Sequence, residues 1–258
     1  MDLGLKNKRA LVLGASRGLG AAIAQGLAKE GATVVAAARS RDKIEAWARD
    51  LPAGSVEAHE LDLSDQTAID DLADRLLADG GVDILVNNTG GPPPSTAVDA
   101  KRSDWISNFE TMAANIFHLT GRLLPVMRER KWGRILTVTS SGVEQPIPVL
   151  ALSNGIRSAI VGWSKTLATE VARDGVTVNI LMPGRIHTQR VVELDTAAAG
   201  RSGKPVEEVS AAAAETIPIG RYGDPEEFAN MAVFLASERA SYVTGTKVRI
   251  DGGATRSV

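Results

Sequence analysis

The chain has 258 residues, 44% hydrophobic and 23% charged, the composition of an ordinary globular domain long enough to bury a large core. A net charge of −2 without a basic block gives no support to nucleic-acid or anionic-membrane partners, and no run approaches the about 18 apolar residues of a membrane span. Cysteine is absent, which excludes disulfides, thiol catalysis and thiolate metal sites, and His59, His118 and His187 lack metal-ligand spacing, so no metal is expected. The opening MDLGLKNKRALVLG has no long apolar stretch of the signal-peptide kind, and a cytoplasmic setting is expected.

The first expected strand is RALVLG (residues 9–14), followed by a helix over GLGAAIAQGLAKEG that ends at Gly31. ATVVAAAR reads as a second strand and RDKIEAWARDL as a helix stopped before Pro52. SVEAHELDL and VDILVNN give two more strands, with the helical DQTAIDDLADRLLADG between them. Residues 103–130 read as one long helix, leading to the strand GRILTVTS. Next comes a helix whose apolar face carries Ile156, Ile160, Leu167 and Val171. Ser153 and Arg157 fall within about 40° of that face, so the helix directs an arginine inward. The strand GVTVNILMPG, a helix over DPEEFANMAVFLAS and a last strand TKVRIDGG complete the chain.

Strands alternate with helices throughout, without a linker or repeat, which predicts one α/β domain over residues 1–258 with a doubly wound, mostly parallel sheet covered on both faces. Residues 188–217 are the exception, long and rich in Ala and Gly, after a strand's carboxyl end where such folds bind ligands. A mobile substrate lid is expected there, a plain surface insertion being the alternative.

The first βα turn reads Gly14-Ala15-Ser16-Arg17-Gly18-Leu19-Gly20. Glycines there allow a sharp turn and close approach to a pyrophosphate, and the following helix N-terminus attracts its charge. Gly14, Ser16, Arg17, Gly18, Leu19 and Gly20 are therefore candidate dinucleotide contacts. The second strand ends in Ala38-Arg39-Ser40, with no carboxylate to hold a ribose 2′-hydroxyl. Arg39 and Arg17 together favour NADP(H) over NAD(H). Asp62 and Leu63, after the third strand, are placed near the adenine.

With these elements in order, the chain resembles the short-chain dehydrogenase/reductases over nearly its whole length, most of all the 3-oxoacyl-(acyl-carrier-protein)-reductase branch. The matches are the glycine loop, Asp62, Asn87-Asn88-Thr89-Gly90, Asn115, Gly133-Arg134-Ile135 leading to Ser140, Pro183-Gly184 and the ending Asp251-Gly252-Gly253. The resemblance implies a seven-stranded Rossmann sheet and a homotetramer or homodimer, the two long helices packing between subunits. It adds Asn88, Gly90, Arg157, Pro183, Gly184, Ile186 and Thr188 as cofactor contacts, Thr188 at the carboxamide. Leu13 stands where the family usually has Thr, and Thr89 where it has Ala, followed by a stiffening Pro92-Pro93-Pro94.

The large departure is in the helix with the inward arginine. Family members carry Tyr-x-x-x-Lys there, the Tyr thirteen residues after the catalytic serine. GWSKTLA aligns without gaps, which places Ser140 on that serine, Ser153 on the Tyr and Arg157 on the Lys. A serine hydroxyl is far less acidic than a phenol, and a guanidinium stays protonated. Ser153 can hydrogen-bond a carbonyl or hold a water, and Arg157 can bind ribose hydroxyls, a snorkelling structural arginine being the alternative. Ser140, Ser153, Arg157 and Asn115 are the candidate catalytic set, Asn115 as the family's water holder. His187, an imidazole after the sixth strand, is a candidate for acid–base work, or else points to solvent or packs the lid; Tyr222 is a minor candidate acid.

The expected function is thus NADP(H)-dependent oxidoreduction of a small carbonyl or hydroxyl compound, 3-oxoacyl-like, with an altered proton-transfer site. The alternatives are a silent NADP(H)-binding sensor or subunit, and a non-redox lyase or isomerase on the same scaffold.

Overall fold

The computed structural model describes residues 2–257. Seven strands form one sheet: β1 (Arg9–Leu13), β2 (Thr33–Ala38), β3 (Val56–Glu60), β4 (Ile84–Asn87), β5 (Gly133–Val138), β6 (Val176–Pro183) and β7 (Lys247–Ile250). Their spatial order is β3-β2-β1-β4-β5-β6-β7, and every neighbouring pair is parallel.

Period-2 alternation splits the strands between two cores. Ala10 and Val12 of β1 face α1 (Gly18–Lys29) and α9 (Pro225–Ala236), meeting Ile23, Leu27 and Phe228. Leu11 and Leu13 face the other way, onto Leu72 of α3 (Gln66–Ala78), Leu119 of α5 (Asn115–Glu129) and Leu167 of α6 (Ala151–Val171). Each fully buried Val, Leu, Ile or Phe among them contributes about 1.5–3 kcal/mol. Short α2 (Arg41–Ala48) joins the first core through Ile44.

The expected helix over 103–130 is interrupted. It comprises α4 (Arg102–Phe109), a π-helical turn at Glu110–Ala114 and then α5. A π-turn inserts one extra residue, which local periodicity does not reveal. Residues 188–217 form two helices, α7 (Gln189–Ser202) and α8 (Val206–Glu215), packed on each other. Among the described residues, no helix is long and apolar enough to cross a membrane.

The strand order reverses between β1 and β4. In open parallel sheets such a switch point leaves a crevice at the strands' carboxyl ends. The glycine loop leaves β1 there and Asn88 follows β4, which sets the position of the cleft.

Candidate active site

A cleft of about 1080 Å³ opens over these strand ends. Its floor is the glycine loop. Gly14 has a φ of +62°, and a Cβ there would stand 2.6 Å from the Asn88 carbonyl oxygen. A Cβ on Gly20, in the first turn of α1, would come within 2.3 Å of the Gly14 carbonyl oxygen. Asn88 ties the two segments together by donating through Nδ2 to the carbonyls of Leu13 (3.2 Å) and Gly14 (3.3 Å). From α2, Trp47 donates to the Ala15 carbonyl (3.1 Å) and holds the loop from outside. The result is a backbone cradle at a helix N-terminus, the geometry that suits a pyrophosphate.

Ser16, Arg17, Gly18 and Leu19 line this part of the cleft, as do Asn88 and Gly90. Arg39, Asp62 and Leu63 line its adenosine end. Asp62 accepts from the backbone N–H and hydroxyl of Ser64, both at 2.9 Å, and these bonds hold its carboxyl below the usual range. Lys43, at the start of α2, joins Arg39 and Arg17 on the wall. Sequence reading missed Lys43; its helix turns it back beside the end of β2. Arg17 itself pairs with Glu193 of α7 at 3.3 Å. The cradle and this cation cluster fit a phosphorylated dinucleotide.

At the other end Pro183, Gly184, Ile186 and Thr188 line the cleft, and the Thr188 hydroxyl caps α7. Ser140, Ser153 and Arg157 line the same region. Ser140 follows β5 and its Oγ accepts from the Gly142 N–H (3.1 Å), leaving its own O–H to donate elsewhere. Ser153 and Arg157, one turn apart on α6, are 9% and 7% exposed, the inward direction that helical periodicity predicts. Arg157 donates to the carbonyls of Val138 (2.8 Å) and Gly90 (3.5 Å). No carboxylate pairs with it among the described residues. Burial, with Arg190 nearby, pushes its pKa down to about 10.

Two expected members lie outside the cleft lining. Gly20 is inside α1, where its role is close packing on Gly14. Asn115, just after the π-turn, donates to the Leu63 carbonyl (2.8 Å) and braces the loop after β3.

No histidine lines the cleft among the described residues. His187 is exposed and lies against Tyr222, ring centroids 5.1 Å apart. Tyr222 is buried and donates to Asp195 (2.9 Å), while Arg185 donates to the Tyr222 hydroxyl (3.2 Å) and pairs with Asp195. Burial, then the bond to Asp195, pushes the phenol's pKa up, away from the range useful to a proton donor. This clasp fixes the start of α7 instead. Tyr222→Phe is expected to cost about 1–3 kcal/mol, read as a lowered Tm, because the Asp195 carboxylate loses a buried donor. Any turnover should change only a few-fold.

The arginine missed from sequence is Arg190 of α7, which lines the cleft and donates to the Pro92 carbonyl (2.9 Å). Its position depends on how α7 folds back over the 90–92 turn, information absent from local pattern.

The family model described as enoyl-(acyl carrier protein) reductase matches residues 14–255. The chain is 33% identical over 253 residues to the 3-oxoacyl-(acyl-carrier-protein) reductase FabG of Haemophilus influenzae, covering 96% of this chain and 98% of that protein. It is 34% identical over 259 residues to the corresponding reductase of Aquifex aeolicus, covering 98% and 99%. Among solved structures, YwfH, described as an NADPH-dependent reductase involved in bacilysin biosynthesis, superposes with a TM-score of 0.93 at 30% identity, covering 98% of this chain and 100% of that one. L-sorbose reductase of Gluconobacter frateurii, solved with NADPH and L-sorbose, gives 0.92 at 35% identity, both chains covered completely. With these matches over nearly its whole length, the chain belongs to the short-chain dehydrogenase/reductase family, in its 3-oxoacyl-(acyl-carrier-protein)-reductase-like branch.

Proposed function

We propose that this protein is an NADP(H)-dependent oxidoreductase acting on a carbonyl or hydroxyl group of a small 3-oxoacyl-like molecule, without a phenolic proton donor. The observation that carries the reading is that the glycine cradle, the Arg17–Arg39–Lys43 cluster and the Ser140–Ser153–Arg157 group line one continuous cleft. YwfH is NADPH-dependent by description and L-sorbose reductase was solved with NADPH, in agreement with those cations.

Gly14, Gly18 and Ser16 hold the pyrophosphate, and Arg17, Arg39 and Lys43 hold the 2′-phosphate. Pro183, Gly184, Ile186 and Thr188 hold the nicotinamide end, and Arg157 binds ribose hydroxyls. When bound, NADPH supplies a hydride to carbon. The hydroxyls of Ser140 and Ser153 donate hydrogen bonds to the substrate oxygen as charge develops there. The buried positive charge of Arg157 favours that negative oxygen. The proton comes from water in the cleft or from the substrate, since neither serine nor arginine releases one readily at neutral pH. Asn115 acts through Leu63, as a positioning residue. Helices α7 and α8 form the lid. The assembly expected is a cytoplasmic homotetramer or homodimer built on α5 and α6, where Phe117 and Trp163 stack 4.2 Å apart.

The test is loss of the nicotinamide absorbance with a panel of activated carbonyl compounds, for wild type and Ser140→Ala. Oxidation that falls about a hundredfold or more in Ser140→Ala is expected. A nucleotide-binding protein without turnover would bind NADPH and oxidise none. A lyase or isomerase would form product with the absorbance unchanged.

Cofactor choice can be measured separately. The double substitution Arg39→Ala with Lys43→Ala is expected to weaken NADPH binding about tenfold or more and to leave NADH binding within about twofold, by fluorescence titration. Equal losses for both nucleotides would remove the 2′-phosphate from this cluster.

A further inference from the structure

Among the described residues, seven cationic side chains line the cleft against two carboxylates, Asp62 and Glu193. Arg17, Arg39 and Lys43 belong to the cofactor phosphates, and Arg185 is paired with Asp195. Three cations then remain without a phosphate to pair with at the nicotinamide end and beyond: Arg190, Arg201 and Arg157, whose ribose contact brings no counter-charge.

Arg157 and Arg190 flank one turn. Arg157 donates to Gly90 and Arg190 to Pro92, and an Arg190 Nη2 lies 3.1 Å from where a Gly91 Cβ would be. Arg157 is buried with backbone carbonyls as its only partners among the described residues. Arg190 has a single weak ionic contact, to Glu193 at 3.9 Å, and Glu193 is also shared with Arg17. Two guanidinium groups bound to the same turn in a partly enclosed cleft repel each other, and a buried cation without a counter-charge is costly. An anion between them removes both penalties, and the planar fork of arginine matches a carboxylate.

The wall beyond is apolar. Ile147, Val149 and Leu150 line it with Met112. Val149 has a φ of +59°, a left-handed conformation that costs a β-branched residue of order 1–3 kcal/mol. That strained residue sits in the loop between the Ser140 turn and α6, directing Val149 and its neighbours at the cleft. On α7, Leu194 and Ala198 continue the apolar lining from Arg190 down to Arg201, about three turns and about 16 Å away.

Resting on the reductase reading above, we propose that the substrate is an oxo carboxylate with an apolar body, its carboxylate held by Arg190 and Arg157 and its body against the 147–150 loop. The short side chain of Ser153, which lines the cleft, leaves room for this group beside Arg157. Arg201, at the far end of α7, lies too distant to take part.

The test is calorimetric titration with phenylpyruvate and levulinate and with the methyl ester of each, with NADP+ present and absent. For wild type, each acid is expected to bind at least about tenfold more tightly than its ester. Arg190→Gln, a partly exposed position whose folding is checked by Tm, should bring acid and ester within about twofold, while Arg201→Gln leaves the preference intact. Esters binding as well as acids, no heat from any of the four compounds, a preference that survives Arg190→Gln, or one that is lost in Arg201→Gln would each overturn the assignment. Failure of the reductase reading looks different: NADPH is not oxidised, while the acid preference and its dependence on Arg190 persist.

Discussion

The double substitution Ser153→Tyr with Arg157→Lys is expected to raise reduction of simple ketones about a hundredfold or more, measured as kcat/KM with NADPH. The reason is the chemistry of one proton. A ketone oxygen gaining negative charge needs an acid of suitable strength, and a phenol beside an ammonium can be tuned to that task. Ser153 faces the cleft, so a tyrosyl ring there extends into open space and not into the core. Ser153→Tyr alone should gain much less, because the Arg157 guanidinium is anchored on the Val138 and Gly90 carbonyls. If the double variant binds NADPH and reduces no simple ketone, more than these two positions separates the site from ordinary carbonyl reduction.

Gly20→Ala carries the second large effect. The added Cβ would stand 2.3 Å from the Gly14 carbonyl oxygen and 2.7 Å from Asn88 Nδ2. Neither can retreat cheaply: Gly14 is held in a left-handed turn, and Asn88 bonds the end of β1 to the end of β4. The turn has to open, which costs about 3 kcal/mol in stability and widens the pyrophosphate cradle. NADPH affinity should fall about a hundredfold or more while the sheet, seen by circular dichroism, remains. Gly121→Ala, where a new Cβ meets nothing within 4 Å, is the control and should bind as wild type does.

These effects divide along the same line as legibility in the sequence. The glycine loop was legible because a turn between strand and helix is a local event, specified by residues 14–20. Ser153 and Arg157 were legible as inward-facing because 3.6-residue periodicity fixes direction on a helix whose apolar face is unambiguous. Strand–helix alternation likewise made the doubly wound, parallel sheet legible. Arg190 and Lys43 were not legible: each reaches the cleft only because its helix folds back over a distant turn. His187 and Tyr222 illustrate the same limit. Both had chemistry suited to an acid, but the clasp through Arg185 and Asp195 packs them together outside the cleft, a contact spanning residues 185–222 that no local pattern encodes.

Charge on the substrate oxygen is met by hydrogen bonds from Ser140 and Ser153 and by the positive charge of Arg157, with no side-chain acid. The direct test is the single-turnover rate of NADPH oxidation by the wild-type protein from about pH 6 to about pH 10, with whichever carbonyl compound the panel yields. Arg157 acts in its protonated form, and although burial lowers its pKa to about 10, bound anionic oxygen favours the charged form, so its contribution is complete through about pH 9. A rate that stays level from about pH 6 to about pH 9 is the predicted result. A fall through about pH 6.5, the imidazole range, or a distinct step between about pH 7 and 9, would reveal a titrating acid in the site and contradict the account.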